Sequence, residues 1–198
     1  MGLDLYALNA DLNSCFEVRG LCASTPEKLE RAQKKTGVEF ITTDYHDLLK
    51  RSDIHVVALF TPDHLHGRQS IEALEAGKHI VVTKPFTTSL DEAIQAARLA
   101  DAKHLKVLVG EAWYVHQPGD ALFDITPWRL TVPQNFLYGG VCHPRDSLVS
   151  FMGEVEDAIV NDRRPAIDAW EGVKTIAAFA ACWESIRSGT PVKVQSQF

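Results

Sequence analysis

The chain has 198 residues, enough at roughly 150 residues per domain for one large domain, or for one domain and a fragment. It carries 20 Lys+Arg against 26 Asp+Glu, a formal net charge of −6, which argues against a nucleic-acid-binding domain because phosphate neutralisation needs a positive surface. Hydrophobic residues at 45% and charged residues at 23% are the proportions of a chain that buries a core, not of a disordered one.

The longest apolar runs, such as residues 56–60 and 80–82, fall far short of the ~20 residues a membrane helix needs. Residues 1–9 show no basic stretch leading into an apolar one, so a cytoplasmic location is expected. The four cysteines (Cys15, Cys22, Cys142 and Cys182) form no CxxC pair; buried free thiols are the simplest expectation, and no metal site is expected.

Strand and helix patterns alternate through the first half. Residues 16–23 read as a strand. Ser24 or Thr25 can cap a helix over 26–36, with Pro26 in its first turn and Gly37 at its end. Residues 38–42 read as a short strand, and Asp44 caps a helix over 45–51. Residues 54–60 are almost continuously apolar, as in a strand covered on both faces. A helix over 65–76 stops at Gly77, and 78–82 is again a strand. Ser89 caps a helix whose Leu90, Ala93, Ile94, Ala97 and Ala100 share one face. Residues 105–109 form the fifth strand. This alternation predicts an α/β fold, a Rossmann-like parallel sheet with helices on both faces.

The second half reads differently. Residues 111–142 hold Pro118, Gly119, Pro127, Pro133, Gly139 and Gly140 among aromatics, a long irregular stretch. A helical pattern returns over 143–161. A long helix follows over 168–187, with Val173, Ile176, Ala177, Ala180, Trp183 and Ile186 on one face and Trp170 and Trp183 expected in the core. Gly189 ends it, and residues 191–194 could close the sheet as an edge strand. The expected organisation is a nucleotide-binding domain over 1–110 and a reduced α+β portion over 111–198.

Ligands of open parallel sheets bind beyond the carboxyl ends of the strands. That edge carries Ala23-Ser24-Thr25, Thr43-Asp44, Thr61-Pro62-Asp63-His64-Leu65-His66, Thr83-Lys84-Pro85-Phe86 and Gly110-Glu111. Singly, the hydroxyls and aspartates serve equally as helix caps; together they suit a ligand bearing phosphate and ribose.

Residues 57–102 resemble the Gfo/Idh/MocA family of NAD(P)-dependent sugar and polyol dehydrogenases. The matching motifs are Thr61-Pro62-Asp63-His64-Leu65-His66, Ala76-Gly77-Lys78-His79-Ile80 and Thr83-Lys84-Pro85. Trp128-Arg129 and the run from Gly139 to Asp146 are similar to the family's substrate-domain segment, and residues 156–194 to its last helix and strand. The resemblance implies hydride transfer between a nicotinamide and a sugar, polyol or related hydroxyl or carbonyl. It places Lys84 beside the nicotinamide and the substrate hydroxyl, and His143 as a proton-exchanging partner. It assigns Thr61, Pro62, His66, Lys84, Pro85, Trp128 and Arg129 to the cofactor. Ser24 and Thr25, near Lys28, stand where the family reads the adenosine ribose; hydroxyls with a lysine tolerate a 2′-phosphate, so NAD(P) is expected, with NADP ahead of NAD. His143 serves equally as a capping or core histidine, and Trp128 and Arg129 as packing. His64 and His66, two residues apart, lack a third metal ligand.

The departures carry expectations too. Thr83 stands where the family has glutamate, and Gly139 where it often has an aspartate. The twelve glycines contain no Gly-x-Gly-x-x-Gly turn, so much pyrophosphate affinity is expected to be lost, and the sheet is expected to have a gap where a first strand would lie. The chain thus resembles a shortened family member, with a weak nucleotide-binding or protein-interaction remnant as the alternative. Homo-oligomerisation or pairing with a full-length paralogue, through the exposed sheet, is the expected protein contact, with no nucleic acid or membrane.

Overall fold

A computed structural model describes residues 16–110 and 144–198, with the side chains of the second segment described from residue 151. In chain order the elements are β1 (Leu21–Cys22), α1 (Pro26–Thr36), β2 (Ile41–Thr42), α2 (Tyr45–Leu49), β3 (Val56–Leu59), a 3-10 turn (Asp63–Leu65), α3 (His66–Glu75), β4 (His79–Thr83), α4 (Leu90–Lys103), β5 (Val107–Gly110), α5 (Pro144–Val160) and α6 (Ala169–Ser188).

Local chemistry explains the boundaries. Pro26 opens α1 and Gly37, at φ 71°, closes it by donating its N–H to Gln33 O. Asp44 caps α2 by accepting from the His46 N–H, and Ser89 caps α4 by accepting from that of Glu92. Gly77 takes φ 76° in the turn from α3 into β4. Thr25 stands at the α1 N-cap but makes no cap bond.

All strand pairs are parallel. Among the described residues they form two pieces, β1–β2 and β3–β4–β5. Alternation along the strands sends Val57, Leu59, Ile80, Val82, Val107 and Val109 to one face. There they join Ala73 and Leu74 of α3, four alanines of α4, and Ala169, Val173 and Ile176 of α6. Val81 and Leu108 point the other way, onto Val155 of α5, with Phe16, Val56, Phe151 and Ile159 around them. Helices thus lie on both faces, as expected of the Rossmann pattern. The buried line of α4 is Ala93, Ala96, Ala97 and Ala100; these small side chains allow α3 and α6 to lie close.

Several expectations are corrected. β1 and β2 are two residues each rather than eight and five, because only Leu21 and Cys22 find partners, Ile41 and Thr42. Residues 191–194 form no strand. The outer edge of β5 instead meets the segment before α6, where Val109 N–H donates to Ile167 O at 3.0 Å. Trp183 and Ile186 are 70% and 72% exposed rather than in the core. The twenty-residue α6, about 30 Å long at ~1.5 Å per residue, has no buried residue beyond Ala181. Trp170 does anchor the helix, donating from Nε1 to Asp101 at 2.7 Å. Cys22 and Cys182 are exposed rather than buried, Cys182 on the outlying half of α6. Cys15, Cys142 and the irregular stretch lie outside the described residues.

Candidate functional site

The sheet register brings β3 and β4 side by side, with Leu59 opposite Val82. The turns that follow them, Phe60 to Leu65 and Lys84 to Ser89, therefore open on the same carboxyl edge. Three contacts hold them. Thr61 Oγ1 donates to Gln69 Oε1 at 2.6 Å, and the Tyr45 hydroxyl donates to Gln69 O at 2.9 Å, so the first turn is tied through α3 to α2. Burial pushes the Tyr45 phenol's pKa well up, so it acts as a neutral donor. Second, His66, at 0% exposure, places Nε2 2.8 Å from Thr61 O and Nδ1 2.8 Å from Pro85 O, bridging the two turns. Third, Phe86, also at 0% exposure, packs on α6 at Gly172, where an added Cβ would lie 2.7 Å from its ring. Thr87 closes the second turn by donating to Ser89 O.

The Lys84–Pro85 peptide is cis. Lys84 is exposed and, among the described residues, has no ion pair or hydrogen bond. Thr61 and Pro85 are half-buried and Pro62 is exposed. Ser24, also exposed, accepts a hydrogen bond from the Lys28 ammonium at 3.2 Å. No carboxylate follows β1; Ala23-Ser24-Thr25 stands there. Trp128, Arg129 and His143 lie outside the described residues. Two cavities, of about 660 and 190 Å³, lie at the opposite, amino ends of the strands and are not lined by Lys84. The larger is an open groove between the approaches to β1 and β2. Among the described residues no three His, Cys, Asp or Glu gather as a metal site, and no helix is long and apolar enough to cross a membrane.

The profile of an oxidoreductase family with an NAD-binding Rossmann fold, GFO_IDH_MocA, matches residues 4–111. The chain belongs to the Gfo/Idh/MocA oxidoreductase family. Levoglucosan dehydrogenase from Pseudarthrobacter phenanthrenivorans is 38% identical over 73 residues, 37% of this chain and 19% of that protein. The NAD(+)-dependent scyllo-inositol 2-dehydrogenase of Bacillus subtilis is 35% identical over 79 residues, 39% of this chain and 23% of that protein. The structure of levoglucosan dehydrogenase with NADH and levoglucosan superposes with a TM-score of 0.52 at 30% identity, over 57% of this chain and 32% of that one. The match to each of these Gfo/Idh/MocA relatives thus spans under a third of its length. The WlbA dehydrogenase of Bordetella pertussis, at 15% identity and a TM-score of 0.73 over 99% of this chain, shares the fold.

The linked motifs led to the family and to the edge where Lys84 stands. They missed Gln69, which looks like any polar helix residue, and Gly172, whose contact with Phe86 joins residues 86 apart in the chain.

Proposed function

We propose that this chain is an oxidoreductase that transfers hydride between a nicotinamide dinucleotide and a hydroxyl carbon of a sugar or polyol. The observation that carries the proposal is Lys84, an exposed cation without a partner among the described residues. It stands on a turn held by His66 at Pro85 O and by Phe86 against α6, at the carboxyl edge where such sheets bind ligands.

The residues fit the two ends of a dinucleotide. Thr61-Pro62 and Lys84-Pro85 flank the position of the nicotinamide. Ser24 and Lys28 offer a hydroxyl and a cation at the ribose end, and no acidic residue immediately follows β1, although the Glu27 carboxylate accepts from Thr25; the Ser24–Lys28 pair is what would accommodate a 2′-phosphate and favours NADP. When bound, the nicotinamide supplies or accepts the hydride. The chain's own part is electrostatic and protonic. The Lys84 ammonium donates a hydrogen bond to the substrate oxygen, stabilising negative charge there as the C–H bond breaks. The rigid turn keeps that ammonium in place before substrate arrives, so little ordering remains at the moment of reaction. By sequence resemblance, His143 carries the proton away, and Trp128 and Arg129 border the cofactor.

The direct test is titration of the purified chain with NADH and NADPH, followed by reduced-nicotinamide fluorescence and by turnover with a panel of sugars and polyols. Lys84→Ala should leave binding within a few-fold, and lower turnover by about 10² to 10⁴, the range typical of a lost proton-transfer group. Absence of saturable binding of either nucleotide would overturn the assignment.

A further inference from the structure

Along α6 one line runs through Gly172, Ile176, Phe179, Trp183 and Ile186, in steps of four, three, four and three residues. That is the spacing of a coiled-coil seam, which keeps these residues on one side of the helix. The first half of the line is used inside the molecule: Gly172 lies against the Phe86 ring, and Ile176 is buried with the strands and α4. The second half is bare. Phe179, Trp183 and Ile186 are 60%, 70% and 72% exposed and adjoin one another, the contiguous kind of apolar patch that marks an interaction site. The C-terminal segment does not cover them. The chain turns at Gly189, and the Phe198 ring ends 6.3 Å from that of Trp170. Trp170 lies about 140° round the helix from Trp183, at ~100° per residue.

We infer that this bare half-seam is the contact surface for a second copy of the chain, the two α6 helices lying antiparallel about a two-fold axis near residues 183–186. The body of the molecule decides the direction. It sits on the seam at Ala169, Gly172, Val173, Ile176 and Ala177, so a parallel neighbour would have to occupy the space of α4 and the sheet. An antiparallel neighbour overlaps only from Phe179 to the end of α6, about 15 Å at ~1.5 Å per residue, and its own body lies beyond Gly189. Within that overlap Trp183 of each copy lies beside Ile186 of the other, the alternation an antiparallel seam requires. Arg187, one turn on from Trp183, is already paired with Glu184 of its own helix, so joining two copies sets no unpaired like charges together. Two aromatic rings and an isoleucine bury roughly 500 Å² per copy, under the ~800 Å² of a standard interface. The dimer is therefore reversible, with a dissociation constant in the micromolar range. It is independent of hydride transfer, and it lies on α6 rather than on an open sheet edge.

Sedimentation velocity of the full chain, from about 1 to 300 μM, tests the pairing. Reducing conditions keep the exposed Cys22 and Cys182 from cross-linking copies. The expected result is a monomer–dimer equilibrium that stops at the dimer, because an isologous contact closes on itself. Ile186→Glu should weaken association by at least about tenfold, since it buries a carboxylate in each half of the contact. Val194→Glu should leave it unchanged: Val194 is also exposed, at 42%, but stands on the C-terminal segment, off the line. Both side chains are exposed, so both variants should keep the circular dichroism of the parent. A monomer at every concentration overturns the inference. So does a dimer that survives Ile186→Glu, or one that Val194→Glu weakens equally, which would mark general apolar adhesion. Association running on past the dimer overturns the two-fold arrangement. Iodide quenching separates one further case. If the chain is monomeric and the Trp183 emission, identified by its loss in Trp183→Phe, is shielded, the chain covers its own seam and the pairing is overturned.

Discussion

The β1–β2 pair and the β3–β4–β5 sheet grow from the same strand–helix alternation, yet they are packed very differently. Between residues 16 and 53 only Leu29 and Val38 are buried, and each strand is two residues long. In β4 and β5 nearly every residue is buried, α3, α4 and α6 cover one face, and α5 lies on the other. The half that carries Ser24 and Thr25 is thinly supported, whereas the half that carries Lys84 is braced by α3 and α6. On the proposed function the reacting end of the site would be the better-packed one, as expected if a misplaced ammonium costs rate while a loosely held ribose costs only affinity.

The sharpest way to break this comparison is to remove its anchors. Phe86→Ala takes a fully buried ring from between the Lys84 turn and α6, and should cost about 3–5 kcal/mol in urea unfolding. Leu29→Ala, in the thin half, should fall near the low end of the range for buried leucines, about 2 kcal/mol. Equal losses would show that the two halves are packed alike. Hydrogen exchange offers a graded version: β3–β4–β5 amides should exchange near the global unfolding limit and those of β1–β2 well above it.

A smaller effect separates close packing from helix propensity. Gly153 in α5 and Gly172 in α6 are both helical glycines, so alanine should help each by up to about 1 kcal/mol. A Cβ at Gly153 meets nothing within 4 Å, whereas at Gly172 it comes within 2.7 Å of a Phe86 ring carbon and 3.1 Å of its Cβ. Gly153→Ala should therefore stabilise. Gly172→Ala should destabilise by roughly 1 kcal/mol net, since overpacking costs about 1–3 kcal/mol. Thermal denaturation of both variants measures the contrast. If both stabilise, Phe86 is not held as tightly as the Lys84 turn requires.

How far the sequence foretold this differs between the two halves for a physical reason. The caps at Asp44 and Ser89, the glycine stops at 37, 77 and 189, and the apolar runs of β3–β5 are local signals, and each produced the element expected. Local signals say nothing about what an element meets. Trp183 and Ile186 have the same spacing as Val173 and Ile176, but α6 outruns the body it packs on. Strand β1 looks longer in sequence than its partner allows. At the site, Lys84 was legible from the motif around it. The bridge from His66 to Pro85 O was not, because a main-chain acceptor leaves no trace in residue identity.

The least of the expected effects concerns pH and again favours the packed half. Where β4 begins, His79 Nδ1 accepts the Lys106 N–H at 2.9 Å, an arrangement open only to the neutral ring. Burial holds its pKa below the ordinary 6.5, the Lys106 ammonium and His55 push the same way, and Asp162 opposes them. The unfolded chain therefore binds this proton more readily than the folded one. The contribution is fully present above about pH 6.5 and is lost as pH falls through the depressed value. The carboxylates act lower: Asp53, held to about 2 chiefly by Arg51, loses its contribution only below its ordinary 3.8. In His79→Asn the amide oxygen can still accept from Lys106 but does not titrate. Its urea midpoint should change less between pH 7 and 5 than that of the parent, while the two should run parallel below pH 4. Parallel curves throughout would mean that His79 is not held neutral at the foot of β4.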